Sequence, residues 1–253
     1  MLPDQSIRID GINTRYWQAG TQGSAVLLLH GIGCSVLEWA RNIAALAVSH
    51  RVFAVDLLGF GLTDKPAHEN YNLPRLAKFA LDFLTAQGVD RAHFVGNSLG
   101  GRLTLSCAQM APARVSSMVL VDPAGMEQRK TLLEFRLATV PFLGELVTRP
   151  NRLGTKILWR KAFADPSAFV TEELVRTKVE LASMPGAQAA FLKTLRSFLE
   201  FSGFRAEQVN ELHAALPGIT APTLVIWGRD DNFVPAAHAE VLRRKLPNVA
   251  VEI

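Results

Sequence analysis

The sequence predicts an α/β fold: a mostly parallel, twisted sheet with flanking helices and one inserted helical segment. Three observations lead there. Short apolar runs alternate with helical patterns along most of the chain. A stretch of about a hundred residues between Val121 and Thr223 carries no strand pattern. A Gly-rich turn holding a serine joins one apolar run to a helical pattern.

The elements follow in chain order. Residues 7–10 and 14–18 read as an opening hairpin, turned at Gly11-Ile12-Asn13. Residues 25–29, 52–55, 93–95, 117–121 and 223–227 are mostly continuous apolar runs, as expected of strands buried on both faces of a parallel sheet. Residues 248–253 read as one more strand. Helical spacing covers residues 37–47, 73–87, 98–110 and 236–245, and this alternation favours right-handed crossovers. The long interruption holds helix-like segments at 129–139, 153–163, 172–181 and 186–201, punctuated by Pro141, Pro150, Pro166 and Pro185. The expected division is a core of residues 1–125 and 206–253 with a helical cap, residues 126–205, whose leucines and aromatics form its own small core and an apolar underside facing the site.

Composition narrows the partners. At 253 residues, with 49% hydrophobic and 20% charged content, the chain suits a single globular domain. The net charge of +4 comes from scattered Lys and Arg with no basic stripe interleaved with aromatics, which argues against nucleic acid. Residues 126–205 carry 13 Lys+Arg against 8 Asp+Glu, a surplus that fits either a solvated helical face or a substrate bearing a carboxylate. No apolar run approaches the roughly 20 residues of a membrane span, and the N-terminus has neither a basic nor an apolar leader region. Cys34 and Cys107 have neither metal-ligand spacing nor the look of a disulfide framework, so both read as free thiols. The expectation is a cytoplasmic protein acting on a small apolar molecule, with no metal, cofactor or nucleic acid.

The chemistry centres on Phe94-Val95-Gly96-Asn97-Ser98-Leu99-Gly100-Gly101. A G-x-S-x-G sequence between a strand and a helix lifts the serine hydroxyl above the sheet. Small neighbours are needed because the turn brings strand and helix backbones together. Serine is a weak nucleophile unless a base, oriented by a third group, accepts its proton. Asp122, Asp230 and Asp231 follow strand patterns and are the candidate orienting acids. Leu29-His30-Gly31-Ile32-Gly33 ends another strand in a Gly-rich turn, whose amides can bind a developing oxyanion. A phosphate loop is the competing reading, but no Gly-Lys-Ser/Thr follows and no G-x-G-x-x-G is present.

Taken together, His30-Gly31, the run from Asp56 to Asp64, Gly96 to Gly101 and Trp227-Gly228-Arg229-Asp230-Asp231 resemble the α/β-hydrolase superfamily, in family order over essentially the whole chain. The resemblance implies Ser98 as nucleophile, Asp231 as the acid, and the main-chain N–H groups of Ile32 and Leu99 as oxyanion hole. It implies a structural turn at Asp56. A serine in place of an aspartate disfavours haloalkane dehalogenases and epoxide hydrolases. Asn97 and the 59–64 turn are similar to meta-cleavage-product hydrolases, which split a C–C bond in vinylogous 1,5-diketone dienoates, and residues 171–186 look like that group's cap. On this likeness Gly31, Gly33 and Asn97 border the substrate, and Arg176 or Lys178 meets its carboxylate. Carboxylesterases and lipases share the elbow, so an ester and a C–C bond both stand as targets. An acyltransferase and a non-catalytic binder are the alternatives.

The family's histidine belongs after the last strand, beyond Asp231. His30, His50, His68, His93, His213 and His238 all precede that point, and His30 reads instead as an organiser of the oxyanion turn. The expectation is a C-terminally truncated, inactive hydrolase with an exposed sheet edge.

Overall fold

A computed structural model describes residues 2–128 and 131–253. Among these residues the strands are β1 (Gln5–Ile9), β2 (Ile12–Ala19), β3 (Ala25–Leu29), β4 (Arg51–Val55), β5 (Ala92–Asn97), β6 (Val115–Val121), β7 (Leu199–Glu200), β8 (Gly203–Phe204), β9 (Thr223–Ile226) and β10 (Val249–Glu252). The helices are α1 (Ile43–Leu46), α2 (Leu73–Ala86), α3 (Leu99–Met110), α4 (Leu133–Ala138), α5 (Leu143–Val147), α6 (Arg152–Arg160), α7 (Pro166–Phe169), α8 (Glu172–Ala182), α9 (Ala187–Phe198), α10 (Ala206–Ala215) and α11 (Ala239–Lys245). One eight-stranded sheet runs β1-β2-β4-β3-β5-β6-β9-β10. β2 pairs antiparallel with both β1 and β4, and every pairing from β4 onward to β10 is parallel.

The continuous apolar runs have the cause expected of them. In β3, Ala25, Leu27 and Leu29 face one core, while Val26 and Leu28 face the other. In β4, Phe53 and Val55 divide from Val52 and Ala54 in the same way. Side chains alternate across a strand, so a sheet covered on both faces needs an apolar residue at every position. Phe83 of α2 meets Tyr16 and Phe53 edge-on, at 5.3 and 6.0 Å between ring centroids. The second face is closed by Val36, Trp39 and Ile43. Asn72 caps α2 by accepting from Arg75 N, and the proline at the start of that helix costs no hydrogen bond.

Several expected boundaries move. The opening hairpin turns at Asp10-Gly11, both at positive φ (49° and 82°), because Ile9 pairs with Ile12 and leaves a two-residue loop. The helix expected over 37–47 breaks into a 3₁₀ turn, Val36–Trp39, and the short α1. The Asp56 carboxylate accepts from Val36 N at 2.7 Å, and this anchor sets where the turn begins. The helix over 236–245 likewise opens with a 3₁₀ turn at Ala236–His238. The stretch read as strandless contains the β7–β8 hairpin, whose two-residue strands are too short to show a period. Pro166 starts α7 rather than ending a helix. In the segment expected over 129–139, Arg129 and Lys130 lie outside the described residues, and the helix occupies Leu133–Ala138.

Candidate active site

Ser98 stands between the end of β5 and the first residue of α3, at φ 52° and ψ −110°. A non-glycine residue there is strained by about 1–3 kcal/mol and persists only when its surroundings over-determine it. Here Ser98 N donates to Val121 O at 2.9 Å, and Ser98 O accepts from Arg102 N and Ala124 N, both at 3.1 Å. The glycines are required by close approach. A Cβ on Gly100 would lie 2.0 Å from Leu29 O, and one on Gly96 would lie 2.2 Å from Gly100 O. Neither obstacle is a side chain that can swing aside.

The 30–36 loop runs beside the serine. A Cβ on Gly31 would sit 3.2 Å from Asn97 Oδ1, 3.5 Å from Ser98 Cβ and 3.7 Å from Cys34 Sγ. Two pins hold this loop to the end of β4. His30, fully buried, donates from Nδ1 to Gly31 O (2.7 Å) and accepts at Nε2 from Leu57 N (3.0 Å). Those partners require the neutral, Nδ1-protonated ring, and burial, against the pull of Asp56, pushes its pKa down in agreement. The second pin is Asp56, which accepts from Val36 N and Leu62 N, both at 2.7 Å, with Arg15 Nη1 at 3.3 Å.

The strand order brings two of the three candidate aspartates together. β6 and β9 are neighbours, so Asp122 and the loop after Ile226 share one end of the sheet. Asp122, at φ 45°, accepts from Gly228 N at 2.8 Å. Asp231 Oδ1 accepts from Phe233 N (2.6 Å) and Val234 N (3.0 Å), and Trp227 Nε1 closes that loop on Val234 O at 2.9 Å. Burial pushes both carboxyl groups up, Asp122 to about 6 with the Asp231 charge adding to it. Asp230 is exposed.

The other candidates divide. Asn97 Nδ2 donates to Val121 O at 3.3 Å, and Gly33 lies under Phe191 of α9, whose Cε2 would be 3.4 Å from an added Cβ. Phe135 of α4 bridges Phe191 and Phe233, at 6.5 and 5.6 Å, so an aromatic row joins the helical insertion to the Asp231 loop. The insertion is Phe-rich in sequence, but Phe135, Phe191 and Phe233 span 98 positions and no local pattern links them. Lys178 is buried and paired with Glu38 at 2.8 Å, while Arg176 is exposed and lies 3.9 Å from Glu180. Cys34 is buried, which pushes its thiol well up and away from nucleophilic use.

The histidines make their contacts elsewhere. His93 Nδ1 meets Ser117 Oγ (2.7 Å), His50 Nδ1 meets Ser24 Oγ (2.9 Å), and His213 Nε2 meets Met126 O (2.7 Å). His238 packs on Trp227 with Nε2 3.7 Å from Glu127, and His68 is exposed. Among the described residues no three His, Cys, Asp or Glu side chains gather as a metal site, and no helix is long and apolar enough to cross a membrane.

The fold agrees with comparison to known proteins. A profile described as alpha/beta hydrolase fold matches residues 24–253, and the chain belongs to that family. A 2-hydroxy-6-oxononadienedioate/2-hydroxy-6-oxononatrienedioate hydrolase of Burkholderia vietnamiensis (strain G4 / LMG 22486) is 32% identical, covering 96% of this chain and 84% of that protein. A dihydrolipoyllysine-residue acetyltransferase component of an acetoin cleaving system from Pseudomonas putida is 31% identical, over 98% of this chain but 62% of its own length. A solved meta-cleavage product hydrolase from Pseudomonas fluorescens IP01 superposes with a TM-score of 0.80 at 28% identity, covering 98% of this chain and 88% of that one. The chain is thus a hydrolase of the α/β fold that resembles C–C hydrolases.

Two outcomes follow from the geometry. Gly100→Ala is expected to lower unfolding stability by about 3 kcal/mol or more, because the obstacle is backbone. Gly218→Ala, where an added Cβ meets nothing within 4 Å, is expected to stay within about 0.5 kcal/mol; urea denaturation of both variants measures the contrast. His30 has a folded pKa below its unfolded value of 6.5, so the unfolded chain takes the proton first. The His30 contribution is therefore complete above pH 6.5 and lost as pH falls toward the folded value. His30→Gln is expected to flatten that acid limb in a series of denaturation curves from pH 8 to pH 5.

Proposed function

We propose that the protein is a serine hydrolase whose nucleophile is Ser98 and whose preferred target is an ester of a small apolar acid. The observation that supports this best is the strained Ser98 backbone, held beside Gly31 at the N-terminus of α3. Ser98 Oγ attacks the acyl carbon as its proton passes to a base, and the carbonyl oxygen gathers charge against the amides of Ile32 and Leu99. Collapse expels the alcohol, which takes up the proton, and leaves an acyl-enzyme. Water, deprotonated in turn, adds to the acyl carbon and releases the acid and the serine. In this scheme Asp231 orients the base, fixed for that task by its two backbone bonds. His30, His50, His93 and His213 are engaged by Gly31 and Leu57, by Ser24, by Ser117 and by Met126 respectively.

Residues 126–205 act as the cap in this reading. Phe135 and Phe191, met by Phe233 of the core, give it an apolar underside that excludes water and selects for apolar acyl groups. Gly33 and Asn97 border the space beneath.

A second reading, C–C bond hydrolysis of a dienoate, is favoured by the names of the relatives. It uses the same serine, but the dienol must first ketonise so that the departing carbon leaves as a stabilised carbanion and is protonated.

The test uses protein prepared with any residues encoded beyond Ile253. A fluorophosphonate is expected to label the wild type and not Ser98→Ala, and Ser98→Ala is expected to lower kcat by about 10⁴–10⁶-fold on p-nitrophenyl esters. Turnover retained in Ser98→Ala would contradict the assignment. Faster turnover of a dienoate ring-cleavage product than of any ester would favour the second reading.

A further inference from the structure

Among the described residues of the helical insertion, Lys178 is the buried cation. It projects from α8 to the 3₁₀ turn that follows the 30–36 loop, where Nζ lies 2.8 Å from Glu38 Oε1. The two side chains are 7% and 20% exposed. Trp159 of α6 lies under the ammonium, 3.9 Å from ring centroid to Nζ, an added cation–π contact. Cys34, whose thiol donates to Ile32 O at 3.5 Å, lies beside Glu38. Cys34 Sγ is 3.7 Å from the Cβ position of Gly31, which is itself 3.5 Å from Ser98 Cβ. The 3₁₀ turn that carries Glu38 thus follows directly on the loop that passes Ser98.

Burial works against charge on both partners. Even so, Glu38 is held below the usual carboxylate range by Lys178 and Cys34, and Lys178 is held above its usual value by Cys34 and Glu38. The pair is ionised at neutral pH and its charges cancel. Arg176, the other cation considered for a substrate carboxylate, is 63% exposed and faces Glu180.

We propose that Glu38 occupies the place an acidic substrate's carboxylate would take on Lys178, so that the site selects uncharged acyl groups and rejects acyl groups ending in a carboxylate. This rests on the reading of Ser98 as nucleophile. A second carboxylate at Lys178 would have to share one ammonium with a buried neighbour of like charge. If instead it displaced Glu38, that carboxylate would be left desolvated and unpaired. The pair is thus a specificity determinant. It favours ester hydrolysis over cleavage of a dienoate, whose carboxylate has no uncovered partner here.

The test compares p-nitrophenyl hexanoate with mono-p-nitrophenyl adipate, which replaces the terminal methyl by a carboxylate. Protein carrying Glu38 is expected to prefer the neutral ester at least tenfold in kcat/KM. Glu38→Gln, which uncovers Lys178, is expected to move that ratio at least tenfold toward the adipate, mainly through KM. Glu38→Gln/Lys178→Gln is expected to lose the gain. Affinities of hexanamide and adipic acid monoamide are measured in parallel on Ser98→Ala protein, with and without Glu38→Gln, so the selectivity is read even where no ester is turned over. Equal or better recognition of the carboxylate by protein with Glu38, or an unchanged ratio in Glu38→Gln, would overturn the proposal. Should Glu38→Gln not fold, Glu38→Ala takes its place, with the same shift toward the adipate expected and an unchanged ratio again overturning the proposal. Turnover that survives Ser98→Ala would instead overturn the nucleophile assignment and leave the binding ratio as a separate result.

Discussion

The start of α3 is pressed against the ends of β3 and β5, and the rest of the site depends on that contact. Gly100 approaches the Leu29 carbonyl so closely that no side chain fits, and Gly96 meets the first turn of the helix in the same way. With both backbones fixed, the connecting residue has little choice but positive φ, and the strain falls on Ser98. Its own amide and carbonyl are bound to Val121 and Ala124, so the strain is anchored in β6 as well. The chain continues from there to Asp122, whose carboxylate holds Gly228 at the opening of the Asp231 loop. One close approach thereby reaches three strand ends.

The opposite side of the serine is held by polar groups buried with their partners. Asp56 is fully buried, yet its oxygens meet two backbone amides and one guanidinium. Gly61 is a glycine at φ 52° because a Cβ there would fall 2.0 Å from Asp56 Oδ2. Such a carboxylate is costly to leave uncompensated, so losing one partner disturbs the others. Together with His30 it sets the path of the 30–36 loop, and the Glu38–Lys178 pair then ties that loop to α8. The same short segment answers to the core on one side and the helical insertion on the other.

What was legible in the sequence was what local rules decide. The glycines around Ser98 had to be small, and β3 had to be apolar throughout because both its faces are covered. The role of His30 in organising its loop was also readable, since a histidine beside a Gly-rich turn has backbone groups within reach. Features that depend on distant pairing were not readable. The segment expected as one helix over 37–47 opens as a 3₁₀ turn at Val36, whose amide is held by Asp56, 20 positions away. Asp122 became a neighbour of Asp231 only because β6 pairs with β9. The pairing of Lys178 with Glu38, 140 residues earlier, has no local signal and exists only because the fold brings the two within hydrogen-bond distance. The β7–β8 hairpin carried no period at all.

The central claim is that Ser98 carries the acyl group in turnover. The most direct measurement is intact-mass and peptide mass spectrometry after acid quench of the protein, with any residues encoded beyond Ile253, reacting with a slowly deacylating p-nitrophenyl ester. The account predicts a single acyl addition on Ser98. Acylation confined to Cys34, or spread over surface lysines with Ser98 unmodified, would contradict it.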